Sequence, residues 1–157
     1  MKIDAKVQSI SKLKDYFFLV PDYQREYVWK PDDEVEQFLI DIENEYSPDA
    51  KEQRNYFLGS IIIVNNDRCF DVVDGQQRLT TIMLSLCVFR DLLKKETLNS
   101  AQKNYLQIIE NLLYNFDIES GETRVRLELQ YEESHDYLTA LIPVSYTHLR
   151  AHETLRH

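Results

Sequence analysis

At 157 residues the chain is one domain's worth and can bury a core without help from disulfides or metals. Its net charge of −9 excludes a general duplex-DNA binder, which needs a basic footprint, but leaves room for a small basic site on an acidic body. No apolar run approaches the roughly 20 residues that span a bilayer, and Met1-Lys-Ile-Asp-Ala-Lys6 has no signal-like apolar core, so the cytoplasm is the expected location.

In chain order, residues 9–15 predict a short helix and residues 16–20 a strand that Pro21 stops. Residues 22–29 form a dense aromatic and polar loop. Pro31 sits where a first helical residue belongs, and Asp32 and Asp33 suit the positive helix end. Val35, Phe38, Leu39 and Ile42 follow at i, i+3, i+4 and i+7 as one apolar stripe of a helix ending near Tyr46. After a polar loop, the apolar and largely β-branched residues 56–64 predict a central strand. A turn at Asn65-Asn66-Asp67 and a strand over residues 70–73 complete a hairpin.

Next comes a long helix from about Gln77. Leu79, Ile82, Met83, Leu86, Val88, Phe89, Leu92 and Leu93 give it a broad apolar surface, suited to packing across a sheet. Cys87 falls within that pattern and is read as a buried thiol; with Cys69 it lacks metal-ligand spacing and suggests no disulfide framework. Asn99-Ser100 caps a further helix carrying Leu106, Ile109, Leu113 and Phe116. Val125, Leu127 and Leu129 alternate with Arg124, Arg126, Glu128 and Gln130 as a half-buried strand, and residues 132–141 predict a short helix.

At Pro143 the character changes. Residues 143–157 hold His148, His152 and His157 and reverse the sign of the charge. His148 and His152 have i, i+4 spacing, but no Cys, Asp or Glu partner completes a metal set. The segment resembles translated sequencing-adapter sequence and is expected to be a non-native tail, leaving residues 1–142 as one domain cut short at its C-terminal side.

The chemistry concentrates where the hairpin's second strand meets the long helix. Asp74, Gly75, Gln76, Gln77 and Arg78 crowd onto one strand-to-helix corner. Backbone N–H groups at a helix start attract anions. A guanidinium adds bidentate donors matched to phosphate oxygens, and a carboxylate can hold a hard cation such as Mg²⁺. Asp-Gly is equally an ordinary turn and Asp74 equally a helix cap, and the spacing leaves both readings open. A second polar cluster, Tyr23, Gln24, Arg25, Tyr27 and Trp29, could form a facing wall. For Tyr27 and Trp29, packing against the first long helix is the simpler role.

Taken together, Val20-Pro-Asp-Tyr-Gln-Arg-Glu-Tyr-Val-Trp29, Phe57-Leu-Gly-Ser-Ile61 and Val73-Asp-Gly-Gln-Gln-Arg-Leu-Thr-Thr-Ile82 resemble the DUF262 domain. This is the N-terminal domain of GmrSD-type modification-dependent restriction enzymes and related phage-defence proteins. The resemblance covers roughly residues 8–142, with both polar motifs intact. It implies an α+β fold similar to ParB and sulfiredoxin: a small mixed sheet, a strand–turn–helix phosphate corner and helices packed on the sheet.

The resemblance also implies a regulatory module that binds and hydrolyses a nucleoside triphosphate with Mg²⁺ and gates a C-terminal nuclease domain or subunit. DNA would be reached through the full-length protein, and no membrane is involved. Nothing in this chain resembles the nuclease's Asp-His motif. The implied nucleotide-binding residues are Tyr23, Gln24, Arg25, Asp74, Gly75, Gln76, Gln77, Arg78 and Thr81. Arg78 would clamp β/γ-phosphate oxygens, Arg25 would close over them, Asp74 would hold Mg²⁺ or orient Arg78, and Gln77 or Gln24 would position the attacking water. Packing is the simpler role for Thr80 and Thr81. The alternatives are a DNA-modification sensor without turnover, a ParB/sulfiredoxin-like phosphotransferase and an inactive fragment.

Overall fold

The computed structural model describes residues 3–46, 55–116, 118–119, 121–131, 138 and 140–142. The expected tail, most of the polar loop before residue 56 and most of the helix expected over residues 132–141 lie outside them. Leu138, Ala140 and Leu141 are helical.

A four-stranded sheet sets the frame. β1 (Phe18–Val20) runs parallel to both β3 (Cys69–Asp74) and β6 (Leu127–Leu129), and β2 (Ile62–Asn66) pairs antiparallel with β3. The resulting mixed sheet has the order β2-β3-β1-β6. β1 is therefore the inner strand with parallel partners on both sides, which suits its apolar Phe18-Leu-Val20. A second, two-stranded sheet pairs β4 (Tyr114–Phe116) with β5 (Thr123–Val125). Around the sheets lie a 3-10 helix at Ile10–Asp15 and the α-helices α1 (Glu36–Glu45), α2 (Gln76–Lys94) and α3 (Ser100–Leu113). A kinked π-type turn at Pro31–Val35 leads into α1.

One core joins these parts. Leu79, Met83 and Cys87 of α2 meet Phe18, Val20 and Val72 of the sheet, Leu127 and Leu129 of β6, and Leu113 of α3. Leu79 and Met83 are fully buried, as is Val20. Each such side chain contributes roughly 1.5–3 kcal/mol by leaving water. Arg90 of α2 is also fully buried. Its Nε donates to Asp91 Oδ1 at 2.9 Å, its Nη2 to the Leu141 carbonyl at 3.2 Å and its Nη1 to the Ile142 carbonyl. It thus ties the end of the described chain to α2.

Several expectations need correction. Residues 56–64 are not a central strand: β2 begins at Ile62 and lies at the sheet edge. Gly59, at φ +113°, turns the chain ahead of β2, and the ladder register shifts between Ile62 and Ile63. With β2 at an edge, Ile62 and Val64 stay about half exposed. The strand read over residues 124–130 divides at Arg126 between the two sheets. Arg126 is buried rather than outward, 4.5 Å from the Phe17 ring centroid, with its Nε donating to the Asn111 carbonyl at 3.1 Å. Phe116 belongs to β4, not to α3. On α2 the apolar surface is only partly used, because Val88, Phe89 and Leu92 are exposed.

Candidate functional site

Because β1, β3 and β6 are mutually parallel, their carboxyl ends leave the sheet on one side. That end is where ligands collect in sheets with parallel strands. β1 runs into the Arg25 loop, β3 into the Asp74–Arg78 corner, and β6 into Tyr131. A cleft of about 210 Å³ opens there, lined by Arg25, Trp29, Asp74, Gly75, Gln76, Gln77 and Arg78. Both polar sequence clusters thus meet in one place, although about 50 residues separate them in the chain.

Gly75 makes the corner possible. It sits at the N-cap position of α2 with φ 88° and ψ 13°, a left-handed conformation that L side chains rarely adopt. An added Cβ would also lie 2.8 Å from the Ser60 carbonyl oxygen. Its own carbonyl accepts the first helical bond, from Leu79 N–H at 2.9 Å. The N–H groups of Gln76, Gln77 and Arg78 consequently have no intrahelical acceptor, and no side chain caps the helix. This end of α2 carries partial positive charge beside the cleft.

Arg78 leans across Gly59. A Cβ at Gly59 would lie 2.5 Å from the guanidinium carbon, so this glycine, too, has a steric reason. Arg78 Nη1 donates to the Ser60 carbonyl at 3.0 Å, which fixes the side chain while leaving further N–H groups of the fork. Arg25 lines the cleft from the other side. Among the described residues its guanidinium has no hydrogen-bond or ion-pair partner. Asp74 is the one carboxylate among the described lining residues, and it makes no ion pair with Arg78.

The Gln77 amide is engaged within the protein. Its Oε1 accepts from Val28 N–H at 2.8 Å and Trp29 N–H at 3.3 Å, while Nε2 donates to the Glu26 carbonyl at 2.7 Å. The buried amide therefore clamps the Arg25 loop onto α2. Thr81 works beside it and lies outside the cleft lining. Its hydroxyl donates to the Gln77 carbonyl at 2.8 Å, so the Tyr27 hydroxyl is the donor in the 2.9 Å bond between Tyr27 and Thr81. Trp29 packs against Phe38 at 5.9 Å between ring centroids and also forms cleft wall. Gln24 and Tyr23 are not among the lining residues; Tyr23 is 73% exposed.

Sequence reasoning missed Tyr131. It is buried beyond β6 and its hydroxyl donates to the Arg25 carbonyl. Burial, with a smaller push from the Glu26 carboxylate, raises its pKa above the ordinary phenol value and keeps the proton on the donor. The only sequence signal was an aromatic residue following the Leu127/Leu129 alternation.

Fold and corner together define a small α+β domain whose parallel strands deliver two arginines and an uncapped helix start to one cleft. The chain matches the model of the GmrSD restriction endonuclease N-terminal domain over residues 7–155 and belongs to that family. No curated protein matches it. Membership makes it a domain of the GmrSD restriction type. Among the described residues, no helix is long and apolar enough to cross a membrane.

Proposed function

We propose that this domain binds a nucleoside triphosphate with Mg²⁺ at the α2 corner and hydrolyses it slowly. The nucleotide state would gate the nuclease of the full-length protein in response to modified or foreign DNA, in the cytoplasm. The observation that carries this reading is the uncapped, Gly75-initiated start of α2 beside Arg25 and Arg78. Three free backbone donors and two guanidinium forks suit an anion with several oxygens.

A cleft of about 210 Å³ is smaller than the roughly 300–1,000 Å³ of typical small-molecule pockets. It suits the polyphosphate, with the nucleoside lying across the open rim near Trp29. Mg²⁺ keeps several waters and takes few protein carboxylates when phosphates supply the rest, which fits Asp74 as its single protein carboxylate. When bound, the ion would neutralise charge developing on the phosphates. Arg78, fixed by Ser60, presents its remaining donors to β/γ-phosphate oxygens. Arg25 would close on the same charge from the facing loop.

With the Gln77 amide held by the loop and Gln24 outside the cleft lining, positioning of water falls to Gln76. A glutamine orients water without deprotonating it, so turnover is slow, as suits a switch. The occupied Gln77 also favours a second reading, a nucleotide-binding sensor without turnover.

The test is Mg²⁺-dependent phosphate release by the 157-residue chain from ATP, GTP, CTP and UTP, with Arg78→Ala as control. Release that disappears in a folded Arg78→Ala protein is expected. Tight binding without release would select the second reading, and label transferred to protein would select a phosphotransferase. Unchanged release from Arg78→Ala would sink the assignment of Arg78.

A further inference from the structure

The Arg25 loop is held by two grips on different parts of the chain. Gln77 and Thr81 of α2 hold Glu26 to Trp29, and Tyr131 holds the carbonyl of Arg25 itself. The second grip follows from strand register. Val20, the last residue of β1, pairs with Leu129, the last residue of β6, and Gln130 N–H donates to the Val20 carbonyl at 3.0 Å. The chain that becomes the Arg25 loop and the chain that becomes Tyr131 therefore leave the sheet side by side. Tyr131 is 5% exposed, and its ring belongs to the main core cluster, so its hydroxyl has little freedom to go elsewhere. Arg25 contributes an exposed side chain with no partner of its own among the described residues. Its placement over the cleft depends on its backbone.

We propose that Tyr131 is a positioning residue for Arg25, so that nucleotide affinity at the α2 corner depends on how the chain leaves β6. This rests on the nucleotide reading above and adds a regulatory route to it. Tyr131 packs in the same core cluster as Leu138 and Ile142, and Arg90 holds the Leu141 and Ile142 carbonyls. A shift of Leu138 or Ile142 would be felt by the Tyr131 ring through that shared packing and, through one hydrogen bond, by Arg25. Conversely, phosphate captured by Arg25 would favour the β6 exit in the arrangement seen here.

A double-mutant cycle tests it, with Kd measured calorimetrically for the Mg²⁺ complexes of non-hydrolysable ATP, GTP, CTP and UTP analogues. Tyr131→Phe keeps the ring and removes the donor. It is expected to weaken the best-bound analogue about 3- to 10-fold, the range for one lost hydrogen bond. In an Arg25→Ala background the same substitution is expected to change Kd by less than about twofold, because the residue through which it acts is gone. Equal effects in both backgrounds would overturn the proposal, as would no effect of Tyr131→Phe in the wild-type background. If the wild-type chain binds none of the analogues, the nucleotide reading fails and this inference fails with it. Binding with additive effects defeats the inference alone.

Should Tyr131→Phe fold poorly, ¹³C-tyrosine-labelled wild type gives a second readout. The Tyr131 resonance is expected to shift on addition of the bound analogue and to stay still in Arg25→Ala. A wild-type Tyr131 resonance indifferent to the bound analogue would overturn the proposal.

Discussion

At the start of α3, Asn99 and Gln102 close a capping box: Gln102 N–H donates to Asn99 Oδ1 at 2.9 Å and Asn99 N–H donates to Gln102 Oε1 at 3.0 Å. At the start of α2 there is no such arrangement; Gly75 offers no side chain, and Gln77 three residues into the corner turns its amide to another loop. Both helices face the same requirement, four N–H groups without helical acceptors. α3 meets it locally with its own side chains, and its start is a structural feature on the surface. α2 leaves its donors at a cleft that also receives two arginines. The capped start of α3 is satisfied by its own side chains, whereas the open start of α2 leaves its donors facing the cleft to which the proposed function assigns an anion.

Substitutions at either start, and at the far end of α2, sharpen this contrast. The largest effect is expected away from the cleft, at Arg90. Arg90→Ala removes the cation from a buried cluster and leaves the Leu141 and Ile142 carbonyls unmet, costing about 3–5 kcal/mol. Chemical denaturation reads that loss directly. Gly75→Ala comes next, with on the order of 1–3 kcal/mol from a left-handed alanine pressed toward Ser60, plus loss of nucleotide affinity. Full stability with full affinity in Gly75→Ala would break the comparison. Asn99→Ala should cost about 1 kcal/mol and leave nucleotide affinity unchanged. If Asn99→Ala altered affinity, the two helix starts would not be the separate devices described here.

The smallest effect at neutral pH belongs to Cys87. Burial pushes its thiol up to about 11, Arg90 pulling the other way and Asp91 adding a little. The unfolded thiol loses its proton near pH 9 while the folded one retains it. Its contribution to stability is therefore intact below about pH 9 and declines as pH rises toward 11. Denaturation midpoints of wild type and Cys87→Ala measured from pH 7 to 11 should converge as pH rises. A gap between the two that stayed constant over that range would contradict the assignment.

Periodicity was enough to read α1, α2 and α3 within a few residues, and the Asn99 cap was visible as a residue type in the right place. The corner was legible because Asp-Gly-Gln-Gln-Arg compresses a strand end, a left-handed turn and a helix start into five residues. Edge and centre were not legible. Residues 61–64 are apolar enough for an inner strand, yet the chain takes a left-handed turn at Gly59 and joins the sheet only from Ile62, at its edge. Arg126 shows the same limit. Alternation puts it outward, whereas the change of sheet at that residue and the ring of Phe17 bring it inside. Gln77 and Tyr131 depend on contacts 48–51 and 106 residues away, and no local pattern reports those.

The central claim is that the open start of α2 grips phosphate. The most direct measurement is calorimetric titration of the 157-residue chain with Mg²⁺ and a matched series: nucleoside, diphosphate and non-hydrolysable triphosphate. Affinity should rise steeply with each phosphate, fall with added salt, and collapse in a folded Arg78→Ala protein. A nucleoside that binds as tightly as its triphosphate, or an Arg78→Ala protein that binds as tightly as wild type, would contradict it.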